Sequence, residues 1–202
     1  MQTTIYLIRH GEVYNPKKIL YGRLPHYGLS KNGIREVEDA ASYLADRPIA
    51  AIYASPLLRA QQSAKIIQKK LGLPLIHTTK QIIEVNTSYQ GKLFSALDPI
   101  QSEVYLKPLR KTDESVEQLA ERMSQFLTSL IKKYPGKQVV VVSHGDPVMA
   151  LQAVIKKLPI TFSSIRTGNG ITYVQHAEIL EIIAEEDNMC SIASVFKPEV
   201  AK

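Results

Sequence analysis

Residues 5–12 read IYLIRHGE. Ile5 to Ile8 form a short apolar run bounded by polar residues, the pattern of a buried strand. The run breaks into Arg9, His10 and Gly11 side by side. A second junction of the same kind closes QVVVVSHG at 138–145, the strongest strand signal in the chain, which ends in Ser143, His144 and Gly145. Two strands that each deliver a histidine and a glycine at their carboxyl ends suggest a sheet whose strand ends converge on one crevice.

Outward from these two strands, helix and strand patterns alternate. Ser30 can cap a helix with Ile34, Val37, Ala41 and Leu44 at helical spacing. AAIYAS at 50–55 is the next strand, and Ser55-Pro56 is expected to start a helix that runs to about Leu71 and stops at Gly72 and Pro74. PLIHT and QIIEV read as short β-like pieces. Residues 86–113 have no clear period and read as loop with a short helical piece. Thr112 or Asp113 is expected to open a helix through Tyr134, which Pro135-Gly136 ends. Residues 147–157 read as helix, GITYVQHAEILEII as a terminal hairpin, and CSIASVF as one more strand. This alternation predicts an α/β fold, a three-layer α/β/α sandwich with a mostly parallel central sheet, as a single domain over 1–202.

Composition sets the outer bounds. Of 202 residues, 45% are apolar and 22% charged, as in an ordinary globular protein. Cys190 is the only cysteine, so an intrachain disulfide and a cysteine-based metal cluster are excluded. The N-terminal stretch has neither a basic segment nor an apolar core of a signal peptide. No apolar run approaches the roughly 20 residues of a membrane span. A cytoplasmic location is expected. The net charge of +6 favours anionic partners. Because the lysines are spread along the chain, a small phosphorylated substrate is expected rather than nucleic acid or membrane, with the protein a monomer or a homodimer.

The chemistry of the junction residues follows from their types. Arg9 and Arg59 offer forked donors that match phosphate oxygens. A neutral His10 between them can attack phosphorus. His144, as imidazolium, can bind an oxygen where charge builds up. A carboxyl such as Glu84, at the end of QIIEV, can protonate the leaving oxygen and later activate water. None of these steps needs a metal or another cofactor. The glycines after each histidine are expected to let an anion approach the backbone. Glu12 and Asp146 are further carboxyls near the same junctions. His26, His77 and His176 read as structural or exposed, Arg122 as a salt-bridge residue, and Gly22, Gly28 and Gly33 as turn residues.

Taken in order, LIRHGE (7–12), YGRLPHYGLSKNG (21–33), ASPLLRAQQSA (54–64), Glu84, ESVEQLAERM (114–123) and VVVVSHGD (139–146) resemble the histidine phosphatase superfamily, also called phosphoglycerate mutase-like. The resemblance implies that His10 is the nucleophile that becomes phosphohistidine. It implies Arg9, Arg59 and His144 as phosphate ligands and Glu84 as acid and base. Asn15, Gly22, Arg23 and Gly145 are expected beside the substrate. Asn15 follows His10 by five positions where the family usually has six, and Tyr89 stands where tryptophan is common. The implied activity is a metal-independent phosphatase. The alternatives are a phosphoglycerate mutase, a non-catalytic protein that reads phosphate, and a metallohydrolase using His10, His144 and carboxylates. Against the last, the spacing follows no metal motif, and arginines would repel a cation.

Overall fold

The computed structural model describes residues 2–99, 101–166, 171–185 and 189–199. Its strands are β1 (Thr3–Arg9), β2 (Ile49–Ala54), β3 (Ile76–Thr78), β4 (Gln138–Ser143), β5 (Ile179–Ala184) and β6 (Cys190–Phe196). Its helices are α1 (Lys31–Tyr43), α2 (Leu58–Leu71), α3 (Glu103–Leu106), α4 (Val116–Lys133), α5 (Gly145–Ile155) and α6 (Phe162–Arg166). The strands form one sheet in the order β3-β2-β4-β1-β5-β6. The first four are parallel, and β5 and β6 add an antiparallel edge.

Period-two burial explains the layers. On one face Ile5, Leu7, Val139 and Val141 pack with Leu119, Met123 and Leu130 of α4 and Val148 and Leu151 of α5. On the other, Tyr6, Ile8, Val140 and Val142 pack with Val37 and Ala40 of α1 and Ala60, Ala64 and Ile67 of α2. A strand buried on both faces has no polar side to show, which is why β1 and β4 read as unbroken apolar runs.

Register then sets the site. Arg9 pairs with Ser143, and Ala54 pairs with Val142. His10, Ser55 and His144 follow directly and emerge together at the carboxyl edge of the sheet.

Several expected boundaries shift. Ser30 caps α1, its hydroxyl accepting from Gly33 N–H, a contact worth about 1 kcal/mol. Ser55 does not cap α2, which starts at Leu58 behind Leu57 with no side-chain cap. The hydroxyl of Ser55 is engaged with His144 instead. Helix α4 opens at Ser115, not Thr112 or Asp113, because Ser115 and Gln118 close a reciprocal capping box. QIIEV is not a strand: a 3₁₀ turn covers Lys80–Ile82. The terminal hairpin is β5 with β6, and residues 171–178 are irregular; Gly170, where that hairpin was expected to begin, lies outside the described residues.

Gly33 is not a turn residue but lies in the first turn of α1, and Gly11 packs against it. A Cβ on Gly33 would meet the Glu12 carbonyl oxygen at 2.1 Å, and one on Gly11 would meet the Gly33 carbonyl oxygen at 2.3 Å. Backbone cannot yield as a side-chain tip can. Gly33→Ala is therefore expected to cost about 3 kcal/mol, read as a lower urea midpoint in equilibrium unfolding. An unchanged midpoint would show that β1 and α1 are not locked by this contact.

Candidate active site

His10 is 1% exposed and its chemical state is readable from its partners. Nδ1 lies 2.8 Å from the Gly11 carbonyl oxygen, which can only accept, so Nδ1 carries the proton. Nε2 accepts from Arg59 Nε at 3.1 Å. The ring is neutral, with its lone pair on Nε2. Burial first, then the charges of Arg59 and Arg9, hold its pKa well below the ordinary histidine value.

Arg59 comes from the first turn of α2 and is fully buried. Its Nη2 donates to the Gly22 carbonyl at 2.8 Å, and its guanidinium lies 4.7 Å over the Tyr21 ring. Gly22 has φ +42°, a left-handed conformation suited to glycine. Arg9 is held by its Nη1, which donates to the Val174 carbonyl at 2.8 Å.

His144 packs edge to face against His10 with centroids 5.1 Å apart. Its Nε2 is 2.6 Å from the Ser55 hydroxyl, and that hydroxyl already accepts from Leu57 N–H. Among the described residues the Ser55 proton has no other acceptor, so it is directed at Nε2, which leaves the His144 proton on Nδ1. Burial, then Arg59 and His10, push His144 well below the usual histidine range. With Arg59, His10, Arg122 and Arg9 around it in a buried space, a further positive charge on His144 is disfavoured.

Arg9 Nε, Arg59 Nη1 and His144 Nδ1 are buried N–H groups without a hydrogen-bond partner. Buried donors are nearly always paired. Three orphans clustered about one histidine form a cradle suited to a tetrahedral oxyanion.

A cleft of about 190 Å³ leads to this cradle. Arg9, Tyr21, Gly22, Glu84, Asp146, Arg166 and Tyr173 line its polar part, and Leu20, Val85, Phe94 and Val104 its apolar part. His10, Arg59 and His144 lie behind that wall with almost no exposure.

Glu84 is placed by backbone contacts. Ser143 Oγ donates to the Ile82 carbonyl, Arg122 to the Ile83 carbonyl, and Arg23 Nε to the carbonyl of Glu84 itself. Burial first, then the Asp146 charge, push the Glu84 carboxyl up to about 7. Glu12, by contrast, is engaged by Ser30 Oγ and Asn32 Nδ2 at the start of α1.

The structure gathers Arg9, His10, Arg59, Glu84 and His144. Others it employs elsewhere. Arg23 and Arg122 both pair with Glu114, so Arg23 supports the Glu84 segment. Asn15 bonds both groups of Ile19 and closes its own loop. Gly145 makes room for the Tyr173 hydroxyl, which a Cβ would meet at 2.2 Å, and Gly11 makes room for α1. On their Cβ sides both glycines thus admit neighbouring protein groups. His176, read as structural, has its ring 6.0 Å from His10; burial and Arg9 push it down to about 3. Tyr105 and Arg166 carry no sequence signal; Tyr21 stands in the YGRLPHYGLSKNG stretch and Tyr173 in the segment expected as a hairpin, where nothing local marks either as part of a site.

A buried neutral histidine between two arginines, at the carboxyl edge of a mostly parallel sheet, makes this an α/β protein with a candidate anion site. The chain belongs to the histidine phosphatase superfamily (branch 1), whose family model matches residues 5–179. An uncharacterized protein of Mycobacterium tuberculosis is 34% identical over 157 residues, 75% of this chain and 77% of the relative. A probable phosphoglycerate mutase of Yersinia pestis is 29% identical over 164 residues, 77% of this chain and 75% of the relative. In fold, the chain is similar to a mycobacterial glucosyl-3-phosphoglycerate phosphatase, with TM-score 0.81, 21% identity and coverage of 98% of this chain and 100% of the other. Among the described residues no group of three or more histidine, cysteine or acidic side chains could hold a metal ion, and no helix is long and apolar enough to cross a membrane.

Proposed function

We propose that the chain is a metal-independent phosphomonoester hydrolase that passes the phosphoryl group of a small phosphorylated metabolite through His10 to water. The observation that carries this reading is the neutral His10, its Nε2 lone pair set among the unpartnered donors of Arg9, Arg59 and His144. A phosphate dianion replaces His10 as the acceptor of Arg59 Nε and fills the three donors. Nε2 then attacks phosphorus, the ester P–O bond breaks, and the Glu84 carboxyl gives its proton to the leaving oxygen. In the second half, water attacks the phosphohistidine and the Glu84 carboxylate takes the water's proton. The P–N bond breaks, its electron pair returns to Nε2, and inorganic phosphate leaves.

Glu84 must be protonated in the first half. With its pKa pushed up to about 7, the rate of phosphoenzyme formation is full below that pH and falls as pH rises through it. His10 stays neutral well into acid, since its pKa lies below the ordinary value.

Water rather than an alcohol is taken as the acceptor because the cleft is small and Phe94 on its wall is 37% exposed. Keeping phosphohistidine from water requires a closed site, and among the described residues of 85–113, of which Val85, Thr87, Phe94, Gln101 and Val104 line this cleft, the helical elements are a short 3₁₀ turn and α3. The same reading takes the protein to act in the cytoplasm, as a monomer or homodimer, without nucleic-acid or membrane partners.

Rapid quenching with a labelled phosphomonoester is expected to leave acid-labile label on His10. Turnover is expected to survive EDTA and to be blocked by vanadate, which mimics five-coordinate phosphorus. Label on serine or aspartate, or loss in EDTA restored by a divalent cation, would overturn the reading. If the phosphoenzyme decays slowly in buffer and 3-phosphoglycerate speeds it by accepting the phosphoryl group, the protein is a mutase.

A further inference from the structure

Asp146 lies in the first turn of α5 and is 2% exposed. Three donors from three separate segments converge on its carboxylate. Tyr105 of α3 donates to Oδ2 at 2.7 Å, Arg166 of α6 to Oδ2 at 2.7 Å, and Tyr173, ahead of β5, to Oδ1 at 2.6 Å. A carboxyl that accepts from two hydroxyls and a guanidinium is in its acceptor-only, ionised form. Asp146, Arg166 and Tyr173 line the same cleft as Glu84. The reaction steps above use none of these four residues.

We infer that Asp146 is a positioning residue for the Glu84 proton: its triply held carboxylate fixes a negative charge beside Glu84 and ties α3, α6 and the segment before β5 around the cleft. The inference rests on Glu84 being the proton donor. The other groups that face Glu84 are Arg59 of α2, Arg166 of α6, Tyr105, Tyr173, Tyr21 and Arg23, with Arg122 of α4 on the neighbouring carbonyls. The arginines favour the Glu84 carboxylate. Asp146 is the one carboxylate of this set, and it opposes them. Without it, burial alone would oppose the Arg59 and Arg166 guanidinium groups, and Glu84 would give up its proton at lower pH. Its three donors explain how a buried carboxylate is tolerated there: both oxygens are hydrogen-bonded, one of them to a guanidinium. The Asp146 charge and burial also hold the Tyr173 and Tyr105 hydroxyls protonated, so both remain donors.

The test is the pH profile of kcat/KM for Asp146→Asn with glycerol phosphate. Its basic limb, near pH 7 in the unaltered enzyme, is expected to move down by about one pH unit. Asp146→Ser removes the same charge and leaves a hydroxyl in its place, so its limb is expected to move down as well. This second variant decides the matter if the first does not fold. A lower rate with the limb unmoved, in whichever variant folds, would reduce Asp146 to a structural tie and overturn the inference. Glu84→Gln separates the two readings. If it abolishes the limb and Asp146→Asn leaves it unmoved, only the role of Asp146 fails. If the limb survives in Glu84→Gln, the assignment of Glu84 fails.

Discussion

His10→Ala is expected to lower turnover of any phosphomonoester by a factor on the order of 10⁴ or more while leaving phosphate affinity within about tenfold. The split follows from who does what. The donors to phosphate are Arg9, Arg59 and His144, and all remain. Arg59 loses only a neutral acceptor, Nε2, that phosphate itself would replace. The lost part is the atom that forms the bond to phosphorus. His176 does not stand in for it: its ring lies 6.0 Å from that of His10, outside the contacts that orient the nucleophile. Vanadate titration and single-turnover quenching check the two halves separately. A variant that retains a tenth of the rate would mean that another group attacks phosphorus.

Glu84→Gln is expected to lower kcat on glycerol phosphate by roughly 10²–10⁴ with KM nearly unchanged, because a proton donor acts in the transition state. On nitrophenyl phosphate, whose leaving oxygen needs no proton, the initial burst of nitrophenol should stay within about tenfold. The turnover after that burst should still be slow, since water has lost its base. This two-phase outcome distinguishes an acid that also serves as base from one that only holds the pocket open. Equal losses in the burst on both substrates would remove Glu84 from the role. Glu12 is a poor replacement, because Ser30 and Asn32 engage it at the start of α1.

The core of the site was legible because its residues stand where strong strand patterns stop. Arg9-His10-Gly11 and Ser143-His144-Gly145 end the two central apolar runs, and parallel pairing brings such ends to one edge. Arg59 was readable from its place just after β2. What could not be read were partnerships made across the fold. Ser55 carries a good helix-capping signal, yet its hydroxyl is matched to His144, and no local rule encodes a partner 89 residues away. Gly11 and Gly33 are needed for a backbone contact between β1 and α1, which spacing alone does not distinguish from a turn. Tyr105 and Arg166 lie in segments without period and Tyr173 in one expected as a hairpin, so no local pattern shows that one carboxylate collects them. Arg23 has the context of a substrate residue, and sequence does not show that the Glu84 carbonyl and Glu114 engage its Nε and Nη2.

The contact of Arg59 with His10 bears on the safety of a reactive side chain. An imidazole strong enough to attack phosphorus would also be open to acylating and alkylating compounds. In the resting enzyme its lone pair is already engaged by Arg59 Nε, and the ring is 1% exposed. An uncharged electrophile has nothing to offer Arg59 in exchange. On the function proposed above, an anion with several oxygens does, and in drawing the guanidinium to itself it unmasks the atom with which it is to react. Discrimination against adventitious modification is thus built into the resting state, ahead of any fit between the cleft and the rest of the substrate.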